Sequence, residues 1–252
     1  MFIVTGGGSG LGRALAQALA MRDQSVLIVG RHEKTLAETA RFSSAIQYSC
    51  ADITLTEDRK RLVADLNDMP VIKGLIHNAG IINPIAPLTE LTESAWRACM
   101  LTNLDAPLFL SQLLINKLTN GRVLHIGSGA AHFPVVGWAG YCVSKAALAM
   151  LTQCWQLESQ FVSFASVMPG IVDTPMQGEI RQAHHMANDK QDFFKKLKRQ
   201  NKLLSPATVA LFLCWLLLDV DKNSYASQEW DIYDKTHHGN WLTSPHMVPE
   251  FE

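Results

Sequence analysis

Short, uninterrupted apolar runs alternate along the chain with longer stretches in which apolar residues return every three or four positions. Phe2, Ile3 and Val4 form the first run. The glycine-rich segment Thr5-Gly-Gly-Gly-Ser-Gly-Leu-Gly12 then separates it from strong helix formers at 13–20. Further strands are expected at 25–29, 46–50, 71–76, 121–126, 161–168 and 229–233. Helices are expected at 33–41, 56–69 and 92–104, from 139 through at least 151, and at 209–218. The apolar, β-branched strands are those of a sheet buried on both faces, and their alternation with helices predicts an α/β fold: a doubly wound parallel sheet flanked by helices on both faces. No linker-like stretch or internal repeat divides the 252 residues, so 1–235 reads as a single domain. Residues 176–202, with paired aromatics and a basic run, have the character of a lid, and 236–252 form a C-terminal extension.

Composition narrows the classes of function. A formal net charge of −1 with 18% charged residues gives no footprint for nucleic acid. The start of the chain carries no basic or long apolar leader, and 209–218 is shorter than the roughly 20 residues of a membrane span, so a soluble, cytoplasmic protein is expected. The five cysteines are scattered, odd in number and without a Cys-x-x-Cys, a pattern of reduced thiols rather than of a disulfide or zinc framework. The paired histidines His184-His185 and His237-His238 are adjacent in sequence and poorly placed to chelate, and no metal is expected.

A parallel sheet binds ligands beyond the carboxyl ends of its strands, so residues that directly follow strands carry the candidate chemistry. Gly6, Gly10 and Gly12 depart from the usual Gly-x-Gly-x-x-Gly spacing. They do lie between a strand and a helix, where a backbone can approach a pyrophosphate and helix amides can hold it. After the second strand, where an acid would take a ribose hydroxyl, stands Gly30-Arg31-His32, and a guanidinium there suits a 2′-phosphate. Asp52, Asn78-Ala-Gly80 and Ser128 also follow strands, although Arg31 is equally a solvated loop residue and Asp52 a turn cap. Tyr141 and Lys145, four residues apart, share one face of a helix, where the ammonium is expected to ease ionisation of the phenol. Most such pairs are ordinary helix neighbours, and this one gains meaning from Ser128, whose hydroxyl can hold an oxygen on which charge builds. Asn103 lies among leucines on its helix and needs partners if buried.

Taken together and in order, Thr5-Gly-x-x-x-Gly-x-Gly12, Asn78-Ala-Gly80, Asn103, Ser128, Tyr141-x-x-x-Lys145 and Pro169-Gly170 with Thr174 resemble the short-chain dehydrogenase/reductase family. The resemblance implies a Rossmann fold and an NADPH-dependent carbonyl reductase with Asn103, Ser128, Tyr141 and Lys145 as its catalytic residues. It further implies that NADP(H) is held by Thr5, Gly6, Ser9, Gly10, Leu11 and Gly12, by Arg31, Asp52 and Ile53, and by Asn78, Ala79 and Gly80. Tyr141, Lys145, Pro169, Gly170, Val172 and Thr174 complete that set. Gly137-Trp138, Asp173-Thr-Pro-Met-Gln177 and Trp230-Asp-Ile-Tyr-Asp-Lys235 are most similar to the sepiapterin reductase and benzil reductase branch. That branch implies a small carbonyl substrate such as a diketone, met by Trp138, Met176 and Asp231. The alternatives are a 3-oxoacyl thioester reductase or another alcohol dehydrogenase of the family, and a non-catalytic NADP-binding regulatory protein. The family also implies a homodimer or homotetramer built on the helices at 92–117 and 139–159.

Overall fold

The computed structural model describes residues 1–67, 71–183 and 185–250. Met69, where the third helix was expected to end, His184 of one histidine pair and the last two residues of the extension lie outside the described residues.

Seven strands form one parallel sheet in the order β3-β2-β1-β4-β5-β6-β7. They are β1 (Phe2–Thr5), β2 (Val26–Gly30), β3 (Ile46–Cys50), β4 (Gly74–His77), β5 (Arg122–Ile126), β6 (Ser163–Met168) and β7 (Trp230–Asp231). Successive residues of a strand point to opposite faces, and both faces are apolar. Val4, Ile28, Ile76, Leu124 and Ala165 face one layer together with Leu15, Leu19 and Leu213. Those helical residues belong to α1 (Gly10–Met21) and α9 (Pro206–Leu218), which pack against each other. Ile3, Leu27, Leu75, Val123 and Phe164 face the other layer with Leu62, Leu110 and Leu114. This second layer is built on α3 (Thr56–Asp65), α5 (Ala106–Leu114) and the twenty-residue α6 (Ala139–Glu158). The doubly wound sheet expected from the apolar pattern is therefore the one found. α2 (Glu33–Ala40) follows β2, and α4 (Glu93–Met100) precedes α5.

Several expected bounds shift: the third helix ends at Asp65 and the sixth strand starts at Ser163. The fourth strand starts at Gly74 rather than Val71, which is exposed. The last strand has two residues rather than five, because Asp231 accepts the Tyr233 N–H at 3.0 Å and turns the chain out of the sheet. The helix expected at 92–104 is interrupted at Leu101–Asp105 by a wider π turn before continuing as α5. The whole run Glu93–Lys117 is 25 residues long and by length and composition apolar enough to cross a membrane, a property the sequence reading assigned to no segment. It packs along α6 and against α3, as a core helix does.

The extension is ordered against the sheet edge. His237 and Trp241 are both buried; His237 stacks with Phe212 and Trp215 of α9, and the Trp241 ring meets Phe212 at a tilt. The Nε2 atoms of His237 and His238 bond the carbonyls of Asp231 and Ile232 at 2.9 and 2.7 Å.

Two further histidines are buried where β4 and β5 run side by side. His77 meets the Ser111 hydroxyl at 2.9 Å and His125 the Thr152 hydroxyl at 2.8 Å, with ring centroids 5.1 Å apart. Burial, with the nearby Lys145 ammonium adding to it, pushes His125 down to about 3. An unfolded histidine takes up its proton near pH ~6.5, so the stability owed to a neutral His125 is complete above that value. It is lost as pH falls from there toward about 3. Urea unfolding at several values between neutral pH and pH ~5 is expected to show stability falling with acidity, and His125→Gln to flatten that slope by up to ~1.4 kcal/mol per pH unit. An unchanged slope in the variant would assign the acid sensitivity to other groups.

Candidate active site

The strand order reverses between β1 and β4, and the loops leaving these two strands diverge around a cleft of about 1060 Å³. Thr5 and Asn78 hold its floor together. The Thr5 hydroxyl donates to the Ile76 carbonyl at 3.2 Å and accepts from the backbone N–H groups of Asn78 and Ala79, both at 3.1 Å. The Asn78 amide returns bonds to the carbonyls of Thr5 and Gly6 at 2.9 and 3.3 Å.

The glycine turn needs its glycines for different reasons. Gly6 sits at φ +68° and Gly10 at φ +51°, where a side chain would be strained. At Gly12 a Cβ would lie 2.4 Å from the Gly6 carbonyl oxygen, so its place is set by close packing of α1 on the turn. Ser9, the N-cap of α1, makes no side-chain capping bond, which leaves the first helix amides available to an anion in the cleft. Gly8, Ser9, Gly10 and Leu11 line that end of the cleft, with Arg31, Asp52 and Ile53 beyond them. Arg31 is exposed. The Asp52 carboxylate accepts the Thr54 N–H and hydroxyl at 2.9 and 2.7 Å, so it caps a turn as well as forming wall. A cradle of strained or tightly packed glycines, open helix amides and a guanidinium fits the phosphates of a dinucleotide.

At the other end stand the expected proton-handling residues. Ser128 follows β5, and its Oγ accepts the Ala130 N–H at 3.2 Å, which fixes it at the start of a short turn, Gly129–Ala131. Tyr141 and Lys145 project from the first turns of α6, and both are buried. The Lys145 ammonium donates to the Ile126 carbonyl at 2.7 Å and lies 5.6 Å from the Tyr141 ring centroid. The expectation that this ammonium lowers the phenol is corrected. Burial dominates and pushes Tyr141 up to about 12, against a hydrogen bond with Ser128 that pulls it down. Burial pushes Lys145 in the opposite direction, down to about 8. Each group is driven toward its neutral form by the same desolvation. The phenol keeps its proton, and desolvation makes the phenolate left by donation more costly than in water.

Asn103 is not in the cleft wall but behind it. Its Oδ1 accepts the Ile81 N–H at 2.9 Å, and its Nδ2 donates to the Ile81 carbonyl at 2.8 Å and to the Ser144 hydroxyl at 3.0 Å. The π turn widens the helix at this point and delivers the amide to that loop, a device common at functional sites. Thr5 and Gly12 likewise support the wall from behind. Ser9, Gly10, Leu11, Arg31, Asp52, Ile53, Asn78, Ala79 and Gly80 line the cleft, as do Ser128, Tyr141, Lys145, Pro169, Gly170, Val172 and Thr174. Gly6 lines it as well. Of the expected substrate residues, Trp138, Met176 and Asp231 do too. The Trp138 ring meets Tyr141 edge-on at 5.9 Å and stacks on Phe194 at 5.8 Å. Phe194 belongs to α8 (Asn188–Arg199), which with α7 (Pro175–Gln182) closes this end of the cleft. Sequence reasoning missed His132, Gln177 and Ile180 as cleft residues. Helical spacing of Gln177 and Ile180 on α7 held the signal for two of them; nothing in the sequence marked His132.

The model of the short chain dehydrogenase family matches residues 1–185. A benzil reductase ((S)-benzoin forming) of Bacillus cereus is 32% identical over 82% of this chain and 90% of its own. Among solved structures, the short chain dehydrogenase/reductase YIR035C of Saccharomyces cerevisiae superposes with a TM-score of 0.89 at 28% identity, covering 95% of this chain and 98% of its own. A short chain dehydrogenase from Shigella flexneri, complexed with NADP, has the same fold at a TM-score of 0.77 and 23% identity, over 91% of this chain and 95% of its own.

Removing the Asn103 amide leaves the Ile81 backbone pair and the Ser144 hydroxyl without that partner. Asn103→Leu is therefore expected to lower stability by roughly 1–3 kcal/mol in urea unfolding, the range for stranding buried polar groups. A loss below a few tenths of that would mean the loop is held by other contacts.

Proposed function

The chain belongs to the short-chain dehydrogenase family, and from that premise we propose that it is an NADPH-dependent carbonyl reductase acting on a small ketone or diketone. The observation that carries this reading is the buried Tyr141 phenol, which lines one end of the cleft with Ser128 and Lys145, while a glycine turn with open helix amides lines the other. Bound NADPH supplies the hydride. Ser128 holds the carbonyl oxygen and Tyr141 donates its proton there as charge builds. The Lys145 ammonium, close behind the ring, steadies the phenolate that donation leaves. Asn103 positions the Ile81 loop against this group and, through Ser144, the first turns of α6.

NADPH rather than NADH is favoured by Arg31, which stands on the cleft where an acid would otherwise meet the ribose. The benzil reductase relative points to adjacent carbonyls in the substrate. Trp138, Met176 and Phe193 offer apolar walls to such a molecule and Asp231 an acceptor at the rim, with 176–202 acting as the lid. Leu101, Phe109, Leu113 and Met150 expose apolar surface along the π turn, α5 and α6, and we read that face as the seam of a homodimer. Five free thiols fit a reducing cytoplasm.

NADPH oxidation with a panel of aldehydes, ketones, diketones and a 3-oxoacyl thioester tests the reading; turnover of none of them would sink it. Tyr141→Phe is expected to lower kcat by about 100- to 10,000-fold with NADPH still bound, the usual share of general acid catalysis. Activity within a few-fold of the parent would remove the phenol from the mechanism. Arg31→Ala is expected to raise the NADPH Kd about tenfold or more and to narrow the preference over NADH, as loss of a charge-assisted bond does. Equal use of both cofactors by the parent would make Arg31 a surface residue only.

A further inference from the structure

His132 ends the short turn that begins at Ser128, and both residues line the same end of the cleft. Its imidazole is fixed from behind. Nε2 lies 2.7 Å from the Glu229 Oε2, and the other carboxylate oxygen of Glu229 accepts the Ser166 hydroxyl at 2.8 Å. Ser166 is a buried residue of β6, while Glu229 immediately precedes β7 and has a side chain only 23% exposed. The backbone makes room for this chain of bonds at Gly127, where a Cβ would come within 2.9 Å of the Ser166 oxygen and 3.4 Å of the carboxylate. Three strand ends thus converge to hold one half-exposed ring at the mouth of the cleft.

The carboxylate decides which hydrogen-bonding face that ring presents. A carboxylate only accepts, so in the neutral imidazole the hydrogen sits on Nε2, toward Glu229, and Nδ1 keeps its lone pair. Among the described residues no hydrogen bond engages Nδ1. We infer that His132 is a specificity-determining residue that accepts a hydrogen bond from a hydroxyl next to the reacting carbonyl, so that α-hydroxy ketones are preferred over plain ketones. Glu229 is its positioning residue, through the tautomer it imposes. The inference rests on reading the cleft as a carbonyl reductase site and deepens it, for an α-hydroxy ketone is what one reduction of a diketone leaves behind. The chemistry at the carbonyl is unchanged: Tyr141 donates to that oxygen as before, and the neighbouring hydroxyl is neither oxidised nor lost.

The test compares benzoin with deoxybenzoin, which differ by that one hydroxyl. Two readouts are taken on the parent, His132→Phe and Glu229→Gln: kcat/KM in NADPH oxidation, and the Kd of each ligand for the protein without added cofactor, where neither can be oxidised or reduced, from quenching of tryptophan fluorescence. The parent is expected to bind benzoin about tenfold more tightly than deoxybenzoin, the worth of one well-made hydrogen bond. His132→Phe should abolish that ratio, chiefly through KM. Glu229→Gln keeps the shape but can donate to Nε2, so it frees the opposite tautomer, and the ratio should shrink there as well. No preference in the parent, or variants that weaken both ligands alike, would overturn the inference. Absence of turnover with the binding ratio intact would instead count against the reductase reading and leave the role of His132 standing.

Discussion

The site depends on a gap between two parallel strands being held at fixed width. β1 and β4 are neighbours whose chains leave in opposite directions, and nothing in a parallel ladder keeps their ends together once the strands stop. The Thr5 hydroxyl and the Asn78 amide do so, with bonds in both directions across the gap. The glycine turn can then approach a ligand from one side and the Asn78–Gly80 loop from the other. Asn103 extends the same stitching one loop further, to Ile81. Polar side chains buried at these points serve as fasteners for backbone that has left the sheet.

Burial sets the chemistry as strongly as it sets the fold. Tyr141 and Lys145 share the helix face that their spacing implied, but the charge on the lysine does not govern the phenol. Both groups are desolvated, both move toward neutrality, and the site holds a protonated acid beside an amine whose charge is costly. Spacing along a helix is legible in a sequence. The depth of water exclusion is a property of everything packed above, here Trp138 and the α7–α8 pair.

The same division explains what else was legible. Strands buried on both faces announce themselves as apolar runs, so the sheet and its doubly wound character followed directly. Strand ends did not, because Val71 and Ile72 are as apolar as the strand they precede. The π turn was hidden for a similar reason: leucines run on through 101–114, and a single extra residue in a turn leaves the periodic pattern nearly intact. Asn103 was nevertheless found, since an amide among leucines asks for partners. His132 and Glu229 were not, being 97 positions apart and joined only by the convergence of β5, β6 and β7. Most of the residues that family likeness implied line the cleft, while Thr5, Gly12 and Asn103 lie behind its wall.

The ordered extension bears on something outside catalysis. An edge strand ordinarily leaves backbone carbonyls pointing outward, a template on which a foreign strand can grow. Here His237 and His238 fold back onto the carbonyls of Asp231 and Ile232, and Trp241 fills the space beside them. The sheet is finished by side chains that cannot propagate a ladder, so its last two-residue strand is sealed against edge-to-edge aggregation by the very chain that leaves it.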